Sequence, residues 1–453
     1  MTPLAIGLVS GALLAAAAAA PRAMAQEAPA EGEVLRLSLK EAKARARTSA
    51  PSLEQARALE RAARADVDVA RAGGLPQVEL SAGYTRLSDV PELVLAQPGA
   101  PPRVIFPNIP DNYRSRLGAT MPLYTGGRVG ALTRAARLEA TAAGADVATS
   151  DAAIVLETAR AYWALVTARE TARVLAESLV AYEAHLVDAR HRHEVGLVAR
   201  NEVLAVQVER DRAELARVRA ANEADVAEAN LRRLVGTPPS VRIETVEPLG
   251  DGRALEPPPP AEDLAALAGE AFARRPERAA LRERIAAGDA RVRAERAARR
   301  PQVSVSGGFD YANPNRRILP PSAEWQDSWD VGLSLSWAVF DGGRGAAAAR
   351  RAAARTDALR QQAEDVDRLI RLEVTQRHLD LDAARRAVEV AARNLEAARE
   401  NSRVAGERYA AGVLPSSERL DAEVLALRAA LDHTEALAQL RLARAALDRA
   451  LGR

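Results

Sequence analysis

Gly126-Gly127-Arg128 returns as Gly342-Gly343-Arg344, 216 residues further on. The same offset relates Glu157 to Glu373, Leu165 to Leu381, Leu179 to Leu395, Arg192 to Arg408, Gly196 to Gly412 and Gly236 to Gly452. Upstream, Pro51 and Pro76 match Pro276 and Pro301 at an offset of 225, so the first copy holds nine extra residues between Pro76 and Gly126. Solenoid repeats run to roughly 50 residues. A unit this long is a mixed helix-and-strand block carried twice, and it implies a pseudo-symmetric assembly.

Downstream of each glycine turn the chain reads as helix. No proline lies between Pro122 and Pro238 or between Pro321 and Pro415, and Ala, Leu, Arg, Glu and Val fill the intervals. Most of these are strong helix formers. A heptad seam runs through Ile154, Thr158, Ala161, Leu165, Ala168, Ala172, Leu175, Leu179, Tyr182, Leu186 and Ala189. The second copy keeps it at Val374, Leu381, Ala384, Val388, Ala391, Leu395, Ala398 and Ala405, with one lapse at Arg377. Sustained heptads predict coiled coil. The long helices are expected over 130–193 and 345–410, the first roughly 95 Å long at 1.5 Å per residue.

Val195-Gly196-Leu197-Val198 and Ala411-Gly412-Val413-Leu414 interrupt them. Glycine just past a helix end supplies a left-handed cap. Return helices then follow over 201–234 and 416–451, with Asn201 and Ser416 or Ser417 placed to N-cap them. Shorter helices over 39–72 and 262–299 precede the strands, broken near Pro51 and Pro276. The stretch 237–261, with Pro257 to Pro260, reads as a linker between a first repeat (26–236) and a second (262–453).

Between the helices the period falls to two. Val78, Leu80, Ala82 and Tyr84 alternate with polar residues and glycine, as do Tyr113, Leu117, Ala119, Met121 and Leu123. The second copy repeats this at Val303, Val305, Phe309 and Tyr311 and at Trp329, Val331, Leu333, Leu335, Trp337 and Val339. Strands are expected over 77–85, 113–124, 302–311 and 329–340. One apolar and one polar face over about 9–12 residues suits a membrane barrel. Tyr84, Tyr113, Tyr124, Phe309, Tyr311, Trp329, Trp337 and Phe340 would serve an interfacial aromatic girdle. A soluble sandwich with one buried face is the competing reading. Four strands cannot close a barrel, for which about eight is the minimum. An open edge in lipid leaves backbone groups unpaired. The barrel must therefore be shared, as eight strands in a dimer or twelve in a trimer.

Composition removes other classes. With 63 basic and 61 acidic residues the net charge is +2, and no one-signed stripe marks a nucleic-acid surface. There is no cysteine, hence no disulfide, thiolate metal site or N-terminal lipid anchor. Leu4 to Ala20 is apolar and Ala23-Met24-Ala25 precedes Gln26, so residues 1–25 read as a cleaved signal peptide. No nucleophile elbow, phosphate loop or zinc-protease motif is present, which argues against an enzyme or a cofactor. His185, His191 and His193 cluster near the first tip. His191 and His193 do not share a helix face, and all three read as solvated histidines rather than metal ligands.

The chain resembles the TolC family of outer-membrane efflux factors. The marks are the doubled plan, Leu75-Pro76-Gln77 entering the first strand, Thr125-Gly126-Gly127-Arg128 and Asp341-Gly342-Gly343-Arg344 leaving the hairpins, and the tips Val195-Gly196-Leu197-Val198-Ala199 and Arg408-Tyr409-Ala410-Ala411-Gly412. The resemblance implies a mixed α/β membrane protein, mainly α. Three copies would share a twelve-stranded outer-membrane barrel, continued by a helical tunnel across the periplasm. It implies contact with outer-membrane lipid, docking of a periplasmic adaptor (membrane fusion) protein at Gly196, Leu197, Val198, Gly412, Val413 and Leu414, and coupling to an inner-membrane pump of the RND or ABC type. It places a periplasmic gate at Glu202, Tyr409, Glu418 and Asp421, with Leu414 standing where the family carries a basic residue. Glu418 and Asp421 share a helix face, and three copies would form acidic rings that favour cations. Plain helix-start carboxylates, favourable near the dipole, and plain helix termination are the alternatives for these positions. The cargo would be small molecules such as drugs or metals. Type I protein secretion is an alternative, and a soluble periplasmic spacer is one of another class.

Overall fold

The computed structural model describes residues 34–96, 99, 101–250 and 264–453. The expected signal peptide and residues 251–261 of the expected linker lie outside them. Two helices of 67 residues dominate, α3 (Arg128–Glu194) and α7 (Arg344–Ala410), each about 100 Å long at 1.5 Å per residue. Each turns back into a partner, α4 (Arg200–Val235) and α8 (Ser416–Ala450). Among the described residues no helix is long and apolar enough to cross a membrane.

The shorter helices come in pairs, α1 (Leu39–Ser49) with α2 (Pro51–Ala72), and α5 (Leu264–Arg274) with α6 (Pro276–Ala297). Both breaks have one cause. Pro51 and Pro276 occupy the first turn of their helices, and the residue before each, Ala50 or Arg275, is extended. Proline lacks an N–H that a first turn leaves unused, and it disfavours helix in the residue before it. Helices α2 and α6 pack along α3, and α6 also touches α7.

One antiparallel sheet holds the four long strands in the order β2 (Gln77–Arg86), β5 (Asp111–Tyr124), β7 (Gln302–Asn313), β8 (Gln326–Ser336). The two repeats meet at its centre, where β5 pairs with β7. Strands β2 and β8 are edges. The last strand stops at Ser336, short of the expected Phe340. Its ladder ends at Gln302, the first residue of β7, because Pro301 offers no N–H and α6 ends just before it. At the hairpin end the strands run one to three residues past their expected limits.

Four short strands were not foreseen. The β2–β5 connection carries its own hairpin, β3 (Leu93–Leu95) with β4 (Arg103–Phe106). The expected linker contains β6 (Arg242–Thr245), which pairs in parallel with β1 (Val34–Leu37). This small sheet closes the main core. Leu37, Ile243, Leu165, Leu231, Leu381, Leu440, Leu447 and Leu451 are fully buried there. Leu165 and Leu381 are the repeat-related pair, and they meet in one core. The Tyr162 hydroxyl bonds the Leu37 carbonyl at 3.1 Å and the Glu247 carboxylate, which also accepts the Leu39 N–H at 3.1 Å.

Most of the seam is buried, at Ile154, Thr158, Ala161, Leu165, Leu175, Tyr182, Leu186 and Ala189, while Ala168, Ala172 and Leu179 are half-buried. At the lapse in the second copy the buried residue is His378, next to Arg377.

Candidate functional site

Both tips are built the same way. Gly196 and Gly412 take φ of 77° and 73°, a left-handed backbone that an L side chain resists by about 1–2 kcal/mol. The N–H of Leu197 then reaches the Arg192 carbonyl at 2.8 Å, and that of Val413 the Arg408 carbonyl at 3.0 Å. These bonds satisfy carbonyls that a helix end otherwise leaves open. The expected side-chain N-caps are absent. The caps are Ala199 and Pro415, because the turns are one or two residues tighter than the sequence suggests. Ser416 is already the first helical residue, and its hydroxyl faces inward instead.

The tip residues divide into two sets. Leu197 is 72% exposed and Val413 67% exposed, with Gly196 and Gly412 exposed beside them. Val195, equally bare, belongs with this set and was not foreseen. Val198 packs on the cluster of Tyr182, Leu186 and Val206, and Leu414 is half-buried.

The gate candidates divide as well. Glu418 and Asp421 are exposed near the start of α8. Glu202 is half-buried in the first turn of α4, with one carboxylate oxygen buried and unpaired. Tyr409 is only 1% exposed. Its ring lies under the guanidinium groups of Arg192 and Arg419, at 4.3 and 4.9 Å, with His185 edge-on at 5.4 Å. Burial, with the Asp188 carboxylate beside it, holds the Tyr409 hydroxyl above its ordinary range. The structure therefore brings Tyr409 into the joint between the two hairpins and leaves Glu418 and Asp421 on the surface.

His185 corrects the expectation of a solvated histidine. It is fully buried, with Nδ1 2.8 Å from Glu423 Oε2 and Nε2 3.0 Å from Ser416 Oγ. Tyr182, His185, Leu186 and Ala189 form an i, i+3, i+4, i+7 stripe, a signal that could have found it. His193 is exposed and faces the Val198 carbonyl. Among the described residues no group of His, Cys, Asp or Glu is arranged to hold a metal ion.

On the sheet, Val78, Leu80, Val331, Leu333 and Leu335 expose one apolar face. The aromatics lie at both its ends. Tyr84, Tyr113, Tyr311 and Trp325 form a contact chain with ring centroids 4.9–5.8 Å apart at the hairpin end. Tyr124, Trp337 and Phe340 lie at the helix end, the last two beyond the strand, with the Trp337 indole donating to the Arg299 carbonyl at 3.2 Å. Phe309 and Trp329 pair across β7 and β8 between these ends.

The outer membrane efflux protein model matches residues 43–237 and 267–453, one segment in each repeat. The chain belongs to the outer membrane efflux protein family. It is 30% identical over 397 residues to Protein CyaE of Bordetella pertussis, covering 86% of this chain and 78% of that one. Its fold is similar to the open state of the MtrE outer membrane channel of Neisseria gonorrhoeae, with a TM-score of 0.75 at 21% identity over 91% of this chain and 88% of that one. The outer membrane protein VceC of Vibrio cholerae gives 0.73 at 21% identity, over 91% and 96%. As an outer membrane efflux protein the chain is an outer-membrane channel, the exit duct of an efflux or secretion system, and not an enzyme. That family membership sets aside the soluble-spacer alternative.

Proposed function

We propose that three copies close one twelve-stranded barrel in the outer membrane. Their hairpin tips receive a periplasmic adaptor protein, coupled to an inner-membrane pump of the RND or ABC type that expels small molecules. The observation that carries this is the pair of free sheet edges, β2 and β8. Each unpaired backbone group in lipid costs several kcal/mol, and pairing β2 with β8 of the next copy removes both edges at once. The aromatics at the two ends of the apolar face fit the two membrane interfaces, with Phe309 and Trp329 in the band between. Residues 1–25 direct export and are then removed.

The test is assembly and conduction by the full-length protein in detergent. A trimer that survives unheated SDS electrophoresis, dissociates on boiling and conducts in planar bilayers is the expected result. A monomer soluble without detergent would overturn it. Export of a protein, and of no small molecule, by the reconstituted assembly would move the reading to type I secretion.

At the tips the exposed set, Gly196, Leu197, Gly412 and Val413, offers small and apolar surface to the adaptor, with Val198 and Leu414 supporting it from beneath. Leu197→Glu combined with Val413→Glu should abolish efflux in cells while leaving the trimer intact on gels. Loss of the trimer itself would assign these residues to helix termination.

For the gate, Glu418 and Asp421 supply the acidic rings, and Glu202, in the first turn of α4, is a further candidate. Tyr409 acts from inside, fixing how α7 sits against α3. Glu418→Ala with Asp421→Ala should change single-channel conductance and weaken blockade by divalent cations severalfold. Identical traces from the variant and the native channel would remove both acids from the gate.

A further inference from the structure

We propose that the hairpin end of the barrel carries an anion-binding collar built by Arg316 and Arg317. This rests on the channel reading above. The membrane takes the apolar face of the sheet, so the polar face lines the lumen.

Midway along that face the charges cancel. Arg116 donates to both Asp310 and Asp330, the latter at 3.1 Å, and Arg114 Nε donates to Asp310 Oδ1 at 2.8 Å. Gly308 makes this possible, since a Cβ there would collide with the Arg116 guanidinium. Asp310, 6% exposed, is enclosed by the two arginines. Both acids are thus occupied by Arg114 and Arg116.

Beyond them the β7–β8 turn folds back over the polar face. Asn315, buried, pins it by donating to the Gln326 carbonyl at 3.1 Å and the Ser328 hydroxyl at 3.0 Å. This brings Arg316 to Asn112 Oδ1 at 3.2 Å and Arg317 to the Trp329 carbonyl at 2.7 Å. Arg317 also lies 3.7 Å from Asp330, which Arg116 already engages. Beneath the turn is a cavity of about 900 Å³ lined by Arg114, Arg116, Arg316 and Arg317 against only Asp310 and Asp330. The surplus is two positive charges in every chain, repeated around the barrel.

A guanidinium has five donors in a planar fork that matches carboxylate and phosphate. Arg316 and Arg317 spend one or two each on the protein. Like charges ringed in a narrow lumen focus the field and select for anions. The ligand class is a multivalent anion, either cargo arriving through the tunnel or a solute entering from outside.

The experiment uses the full-length trimer in planar bilayers, with inorganic tripolyphosphate added to one chamber at a time. The expected result is blockade from the barrel side at about tenfold lower concentration than from the helical side, fading with salt as screening shortens the field. Arg316→Gln with Arg317→Gln, checked as a heat-sensitive trimer, should raise the blocking concentration about tenfold, while Arg316→Lys with Arg317→Lys, which keeps the charge and loses the planar fork, should fall between the native and Gln values. Equal blockade from both sides, or unchanged blockade in the Gln variant, overturns the collar. If the Gln variant does not assemble, the sidedness of the native channel decides alone. A protein that never conducts would instead sink the channel reading.

Discussion

Leu333→Arg should stop the protein from inserting as a trimer, whereas Ser334→Arg, one residue along, should leave insertion intact. Leu333 lies near the middle of β8, opposite Val305, and is 72% exposed on the face it shares with Val331 and Leu335. An arginine on the lipid face near the bilayer midplane costs about 2–4 kcal/mol. Three symmetry-related copies bring this to roughly 10 kcal/mol, comparable with the whole stability of an ordinary domain. Ser334 points the other way, sharing a hydroxyl hydrogen bond with Ser304 at 2.7 Å across the polar face, where an arginine stays in water. Unheated gels and vesicle conductance read both variants. Normal insertion of Leu333→Arg would mean that this face does not meet lipid.

Arg169→Met should markedly lower the thermal midpoint of the detergent-solubilised protein. Arg169 donates to Glu228 at 2.6 Å and to the Ile243 carbonyl at 2.7 Å, and Glu228 accepts the Ile243 N–H at 2.9 Å. The pair thus holds both polar groups of the one residue that buries β6 in the core. Removing the arginine strands a carboxylate whose side chain is almost enclosed. Breaking a buried pair from one side costs about 3–5 kcal/mol. Adding Glu228→Gln should recover part of this, since the amide oxygen still accepts the Ile243 N–H without the charge. An unshifted midpoint for Arg169→Met would show that solvent, not the pair, supports β6.

What the sequence made legible was whatever had a long period. The 67-residue helices, the tip glycines and the four long strands each repeat one pattern over many residues, so local exceptions do not erase it. Strands β1, β3, β4 and β6 hold three or four residues each, too few for an alternation to be told from chance. At β8 the alternation misled, because Trp337 and Val339 keep its rhythm after the partner strand has ended. Periodicity reports a face, and pairing needs a neighbour. His185 was misread for the opposite reason. A polar residue beside the seam looks solvated unless the stripe it shares with Tyr182, Leu186 and Ala189 is weighed, and its partners, Glu423 and Ser416, lie in the other repeat. The gate and docking residues were reached through the family resemblance. Within one chain the structure separates the exposed acids, Glu418 and Asp421, from the buried Tyr409, a distinction that spacing could not supply.

The parallel pairing of Val34 with Arg242 joins residues 208 positions apart. Helical hairpins and strand hairpins need only near neighbours, and such contacts form fast, whereas distant parallel pairing is slow. The waist of the molecule, where β1 meets β6, is therefore among the late parts to set. Until it does, the amino terminus trails free while Ile243 and its surrounding leucines stay open to water. A shortened amino terminus that lacks Val34–Leu37 would leave that apolar surface uncovered.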